Sequence, residues 1–229
     1  MRLNKYISES GVCSRRQADQ WILQGRVTRN GVLAKLGAQV GEGDEVCLDG
    51  EPIAGKKRQI YLALNKPAGI TCTCETHVKG NIIDLIGYTE RIFPIGRLDK
   101  DSEGLILLTN NGDIVNEILR SENNHEKEYL VTVNRRITDL SLSMLASGVR
   151  IMGETTKPCR VERLDEQSFR IILTSGLNRQ IRRMCSALGY QVRRLQRIRI
   201  INVHLGGLAV GAWRHLSEAE VAGLLPRVL

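Results

Sequence analysis

Apolar residues recur at helical spacing from the start of the chain. Leu3, Tyr6 and Ile7 share one face of a short helix that Gly11 closes. Ser14 opens a second helix and, with Gln17 three residues on, forms a capping-box pattern. Ala18, Trp21 and Ile22 make its inward stripe, and Gly25 ends it. Asn30-Gly31 inside Val27 to Leu33 is a strong hairpin signal, because both residues tolerate positive φ, and Val46 to Leu48 reads as one more strand. After a basic, glycine-containing stretch the pattern changes to short apolar strands: Ile60–Leu64, Ile70–Cys74, Leu105–Thr109, Tyr129–Val133, Cys159–Leu164, Phe169–Thr174 and Val192–Ile200. Helices interrupt them at Ile114–Arg120 with Asp113 as cap, at Asp139–Ala146, and at Asn178–Leu188 with Gly189 beyond its end. A last helix starts at the Ser217/Glu220 capping box and is finished by Pro226. The pattern predicts an α+β protein: an αα-plus-β module over residues 1–55, a linker at 56–58, and a mixed, largely antiparallel sheet with flanking helices over 59–229.

Composition narrows the class of partner. The hydrophobic share of 42% is that of a globular protein. No apolar run approaches the roughly 20 residues that a membrane span needs. Charges follow Met1 at once, with no secretory pattern, so a cytoplasmic location and no membrane partner are expected. Lys and Arg total 33 against 25 acids, a net charge of +8. Residues 1 to 55 carry seven of each sign, whereas Gly176 to Ser217 holds eight arginines and no acid. Such a field suits a polyanion such as nucleic acid, a solvated basic face being the alternative. Six cysteines without a CxxC pair make a poor zinc template; reduced thiols and no metal are expected.

The segment Gly96-Arg97-Leu98-Asp99-Lys100-Asp101-Ser102-Glu103-Gly104-Leu105 sets an acidic, glycine-punctuated loop directly before an apolar strand. It has neither P-loop nor calcium-loop spacing. By residue type alone it is as consistent with a surface turn as with a reactive site. Asp99 and Asp101 together allow an acid/base pair. Arg97, two residues before Asp99 in an extended segment, shares its side.

Recognisable motifs decide between these readings. Ser14-Arg15-Arg16 opening a helix, with Gly25-x-Val27-x-x-Asn30-Gly31 after it, resembles the S4 RNA-binding domain. The resemblance implies that Arg15, Arg16 and Arg26 contact RNA. The Asp99 segment resembles the catalytic loop of pseudouridine synthases, in the ribosomal RNA branch that carries an N-terminal S4 domain. Leu64-Asn65-Lys66-Pro67-Ala68-Gly69, Lys127-Glu128-Tyr129-Leu130-Val131 and Gly176-Leu177-Asn178-Arg179-Gln180-Ile181-Arg182-Arg183-Met184 resemble the branch's other motifs, in order. The resemblance implies Asp99 as catalytic carboxylate, Tyr129 stacked on the target uracil, and Arg182 as the cation that keeps Asp99 ionised. It implies Ile181 against the base and Arg97 either in the space of the flipped nucleotide or on its phosphate; Arg179, Arg183, Arg193, Arg194 and Arg197 are expected on the RNA backbone rather than in the chemistry. The isomerisation is redox-neutral and implies no cofactor. The expected partner is ribosomal RNA, 23S before 16S or tRNA, and the protein is expected to act as a monomer. An S4-type RNA-binding protein without catalysis is the competing reading. Residues 72–81 match no motif.

Overall fold

The computed structural model describes residues 1–53, 55, 58–75, 77–119 and 123–224. The chain forms two compact units: Met1–Ile60 with Tyr88–Ile92 and Asn110–Gly112, and Tyr61–Gly87, Phe93–Thr109 and Asp113–Leu229. Two of the three expected linker residues, Lys56 and Lys57, lie outside the described residues.

In the first unit, α1 (Leu3–Glu9) and α2 (Arg15–Leu23) accompany a four-stranded antiparallel sheet. Its strands are β1 (Val27–Arg29), β2 (Val32–Leu33), β3 (Val46–Leu48) and β4 (Glu51–Pro52), in the order β2-β1-β3-β4. The Ser14 hydroxyl accepts from the Gln17 N–H at 3.1 Å, which satisfies one of the donors that a helix start leaves open. Asn30 and Gly31 take φ of 51° and 76°, the double positive φ of the tight turn that suits twisted strands. Leu3, Ile7, Ala18, Ile22, Val27 and Val46 are buried together, and Trp21 packs against them.

The second unit is built on one mixed sheet. Its strands are β5 (Tyr61–Lys66), β6 (Phe93–Pro94), β7 (Glu103–Thr109), β8 (Lys127–Val133), β11 (Arg160–Arg163), β12 (Ser168–Leu173), β13 (Val192–Ile200), β14 (Val203–His204) and β15 (Trp213–His215), while β9 (Arg150–Ile151) and β10 (Glu154–Thr155) form a separate hairpin. The main order is β11-β12-β8-β13-β7-β5-β15, with β14 on β13 and β6 on β7. Among the described residues, neighbouring strands of this sheet pair antiparallel except β13 with β7, which run parallel at Gln196–Glu103 and Arg197–Gly104. β5 and β7 are buried along almost their whole length, which is why their sequences are apolar runs and not alternations. The helices are α3 (Ile82–Ile86), α4 (Asp113–Leu119), α5 (Asp139–Ser147), α6 (Gln180–Ala187) and α7 (Glu218–Leu224). Leu142, Leu145, Ile181, Met184 and Cys185 of α5 and α6 join Val131, Phe169, Ile171 and Leu195 in one core cluster. Ile114, Ile118 and Leu224 of α4 and α7 join Ala63, Leu105, Leu107 and Val203 in another.

Two expectations need correction, and one short helix is not predicted by the pattern. Ile70–Cys74 is not a strand: only Thr71 makes a bridge, to Asn81, because the chain is turning through Pro67-Ala68-Gly69 and pairs locally with the start of α3. Asn81 caps α3 by accepting from the N–H groups of Ile83 and Asp84, both at 2.9 Å, a short helix that periodicity over so few residues does not reveal. Asp113 is the first helical residue of α4 and not its cap. The helix ends expected at Arg120 and Pro226 lie outside the described residues.

The capping box before α7 is complete. Glu220 N–H donates to the Ser217 hydroxyl at 3.2 Å, and Ser217 N–H donates back to the Glu220 carboxylate at 2.9 Å. Arg214 donates to both oxygens of the same carboxylate at 2.7 Å and holds Glu220 down at a pKa of about 2. A depressed acid contributes stability that is complete above its ordinary value of 4.5 and is lost as pH falls toward 2. Glu220→Gln is therefore expected to cost about 1–2 kcal/mol at neutral pH. Thermal melts of both proteins should converge as pH is lowered through that window; an equal gap at every pH would refute the pairing.

Candidate active site

The loop that carries Asp99 is fastened from beneath. Lys66, the last residue of β5, is fully buried, and its ammonium donates to the carbonyls of Pro67 at 2.9 Å, Ile70 at 3.0 Å and Lys100 at 3.5 Å. Burial is the main cause that lowers its pKa, and the charges of Asp101 and Asp99 oppose it. Gly69 N–H donates to the same Lys100 carbonyl at 2.6 Å, and Ser102 N–H to that of Asp99 at 3.0 Å. The Pro67-Ala68-Gly69 turn and the acidic loop are thus one hydrogen-bonded assembly. The loop enters β7 through Gly104, whose φ is +101°. A Cβ there would meet the Arg197 backbone, lying 2.8 Å from its nitrogen and closer still to its oxygen.

Above the loop lie the arginines of α6 and its cap. Arg179, itself at a positive φ of 51°, donates to both carboxylate oxygens of Asp101 at 3.0 Å and lies 3.5 Å from an Asp99 oxygen. The Arg179 hydrogen bonds, followed by the charge of Arg182, keep Asp101 below the usual carboxylate range. Arg182 donates to the Asp101 carbonyl at 2.9 Å and the Ser102 hydroxyl at 3.0 Å, and reaches the Asp101 carboxylate at 3.4 Å. Among the described residues, the cation at ion-pair distance from Asp99 is therefore Arg179. Arg182, expected there, supports the loop one step removed, because its guanidinium faces the backbone after Asp99.

Asp99 opens into a cavity of about 660 Å³. Arg97, Tyr129, Arg179 and Ile181 line it with Asp99, joined by the Glu154–Lys157 edge, the 173–178 loop, Lys127 and Arg197. Arg182 and Arg183 do not line it, and Arg183 is turned back onto Asn178, at 3.0 Å from its carbonyl and its side-chain oxygen. Lys127 was within reach of the sequence, since it stands two residues before Tyr129 and a strand alternates faces. Arg197 was not. The basic stretch suggested a surface contact, yet this side chain is buried and its Nε donates to the Leu105 carbonyl at 2.7 Å. Arg194 is likewise committed, to Glu103 at 2.6 Å, while Arg193 is exposed.

In the first unit Arg15 and Arg16 are exposed on the opening turn of α2. Arg26 is occupied: its fork grips Asp49 at 2.9 and 2.5 Å and it lies 5.1 Å over the Trp21 ring.

Comparison with known proteins assigns the chain. The family described as RNA pseudouridylate synthase matches residues 60–187, and the S4 domain matches residues 1–46. This protein belongs to the RNA pseudouridylate synthase family. It is similar to the dual-specificity RNA pseudouridine synthase RluF of Escherichia coli strain K12, 52% identical over 98% of this chain and 78% of that protein. An RNA pseudouridine synthase of Aquifex aeolicus is 37% identical over 100% of this chain and 95% of its own. A crystal structure of a pseudouridylate synthase superposes with a TM-score of 0.72 at 32% identity, covering 98% of this chain and all of the other. The synthase carries the expected S4 module and mixed, mostly antiparallel sheet, and acts on RNA.

Gly104→Ala puts a side chain into a backbone contact at a φ unsuited to one, and about 3 kcal/mol of stability should be lost. Chemical denaturation checks this; a change within about 0.5 kcal/mol, the usual range for surface substitutions, would show that β7 and β13 are not in close contact here.

Proposed function

We propose that Asp99 is the catalytic carboxylate of this synthase and that it acts on a uridine flipped out of ribosomal RNA, 23S in the first place. The observation that carries the reading is the convergence of Asp99, Arg179, Tyr129 and Ile181 on one cavity. Arg179, 3.5 Å from an Asp99 oxygen, places a positive charge beside the carboxylate at the cavity. Tyr129 offers a π-face to the base, and buried Ile181 an apolar one. Exposed Arg97 at the cavity edge is placed to hold the strand from which the uridine is extracted. The reaction breaks N1–C1′, turns the base while the walls hold it, and joins C5 to C1′; C5 gives up a proton and N1 gains one. No cofactor is called for. Arg15 and Arg16 supply phosphate contacts from the S4 module, with Arg26 shaping that surface through Trp21 and Asp49. A cytoplasmic, monomeric enzyme fits this substrate.

A second RNA substrate is a specific alternative, because the RluF relatives are named dual-specificity enzymes. RNA from a strain lacking the protein, incubated with purified enzyme and mapped by carbodiimide and primer extension, identifies each site in 23S, 16S and transfer RNA. Asp99→Asn should abolish product at every site, a loss of at least about 10⁴-fold, while RNA affinity stays near that of the wild type. Full activity in that variant would refute Asp99.

RNA affinity should also fall steeply with salt. Arg15→Ala with Arg16→Ala should reduce the slope of log K against log salt by about 1–2. An unchanged slope in a filter-binding titration would remove these two residues from the interface.

A further inference from the structure

The cavity contains a charge that the reading above does not use. Arg197 is only 4% exposed, although its neighbours Arg193 and Arg194 face solvent. It is aligned with Tyr129 across the β13–β8 pair and with Gly104 across the β13–β7 pair. Aligned residues in a sheet share a face, so Arg197 and Tyr129 stand side by side, their Cβ atoms about 5 Å apart. On the other flank Gly104 has no side chain to obstruct it. Both Arg197 and Tyr129 line the cavity.

The guanidinium is held but not satisfied. Nε is anchored on the Leu105 carbonyl at 2.7 Å, which fixes the plane of the group. Nη2 is buried and has no hydrogen-bond partner among the described residues. A buried donor without an acceptor is unfavourable and calls for an explanation, such as a ligand that completes it. Lys127 lines the same cavity, and among the described residues its ammonium reaches just the His125 carbonyl, at 3.4 Å. Burial and then the charge of Arg197 lower the Lys127 pKa. Two cations therefore share the inner wall, on the Tyr129 face of the sheet.

The choice of acceptor follows from connectivity. Phosphates are joined to nucleotides on both sides and stay with the RNA strand at the mouth, near exposed Arg97 and Arg179. Only the base of a flipped nucleotide can reach the inner wall. Uracil presents two carbonyl oxygens there. When N1–C1′ breaks, the bond's electron pair goes to the base, whichever group meets C1′, and is shared between O2 and O4. The charge is discharged when C5 takes C1′, the C5 proton leaves and N1 is protonated.

We infer that Arg197 donates through Nη2 to a carbonyl oxygen of the target uracil and stabilises the negative charge that the base acquires as its bond to the sugar breaks. Such a donor is worth most in the transition state, because the oxygen gains charge while the guanidinium is already in place. Lys127 adds to the same field from the neighbouring strand. The inference rests on the reading of the Asp99 cavity as the uridine site.

The test uses the full chain, RNA from a strain lacking the protein, and single-turnover rates. Arg197→Met removes the guanidinium, and Arg197→Gln removes its charge while keeping a donor for the Leu105 carbonyl. Melting temperature and RNA affinity should stay near wild type, and the isomerisation rate should fall about 10²–10³-fold. Added guanidinium ion at non-denaturing concentration should recover roughly tenfold of that loss in either variant, and Arg197→Lys should retain part of the rate. A purely structural arginine would lose stability and rate together, with no such recovery. A rate within about threefold of wild type, or a loss that guanidinium leaves unchanged in both variants, overturns the inference. Full activity in Asp99→Asn would instead overturn the reading of the cavity itself, so the two failures are distinguishable.

Discussion

The parallel contact between β7 and β13 at Gly104 and Arg197 joins the two halves of the catalytic sheet. On one side stand β15, β5 and β7, and on the other β13, β8, β12 and β11, each half antiparallel within itself. The acidic loop runs into β7, whereas Tyr129 lies on β8 and α6 leads into β13. Bringing the carboxylate and the aromatic face to one cavity therefore depends on how closely these two strands approach. The approach leaves no room for a Cβ at residue 104, and glycine at a φ of +101° meets both demands at once. The same missing side chain leaves the space beside Arg197.

Around that junction the charges sort by depth. The long basic stretch from Gly176 to Ser217 contains no acid of its own, so its arginines find carboxylates from elsewhere in the unit. Arg179 takes Asp101 and approaches Asp99, Arg194 takes Glu103, and Arg199 takes Glu126 and Glu128 at 2.9 and 2.7 Å. Lys66 is deeper and uses backbone carbonyls in place of an acid, which ties the first turn of the unit to the acidic loop. Asp101 is committed to Arg179 and Arg182 and braces the loop, while Asp99 has, among the described residues, one longer ionic contact, to Arg179. Two neighbouring acids of the same type thus have different surroundings, and the less encumbered one faces the cavity.

The S4 unit shows how little charge counting alone says about a surface. Arg26 is exposed, yet its fork is filled by Asp49 and its plane rests on Trp21. Arg15 and Arg16 stand on the opening turn of α2, where the helix dipole adds to their positive field.

Local signals in the chain were sufficient for most elements. The Ser14 cap, the Asn30-Gly31 turn, the Ser217/Glu220 box and the apolar runs of β5 and β7 each state a preference that depends on nearby residues only. The motif around Asp99 could be read in the same way once its ordered companions were recognised. Turns that pair only with their neighbours, such as Thr71 with Asn81, were misread because an apolar stretch carries no mark of lacking a partner strand. Pairings at long range were beyond the sequence. It was the tertiary structure that put Arg179 beside Asp99, turned Arg182 onto the loop behind it, and drew Arg197 out of a basic run into the wall of the cavity. Each of these depends on which strands lie side by side, and a run of arginines is written the same way whether its members face water or the wall of a cavity.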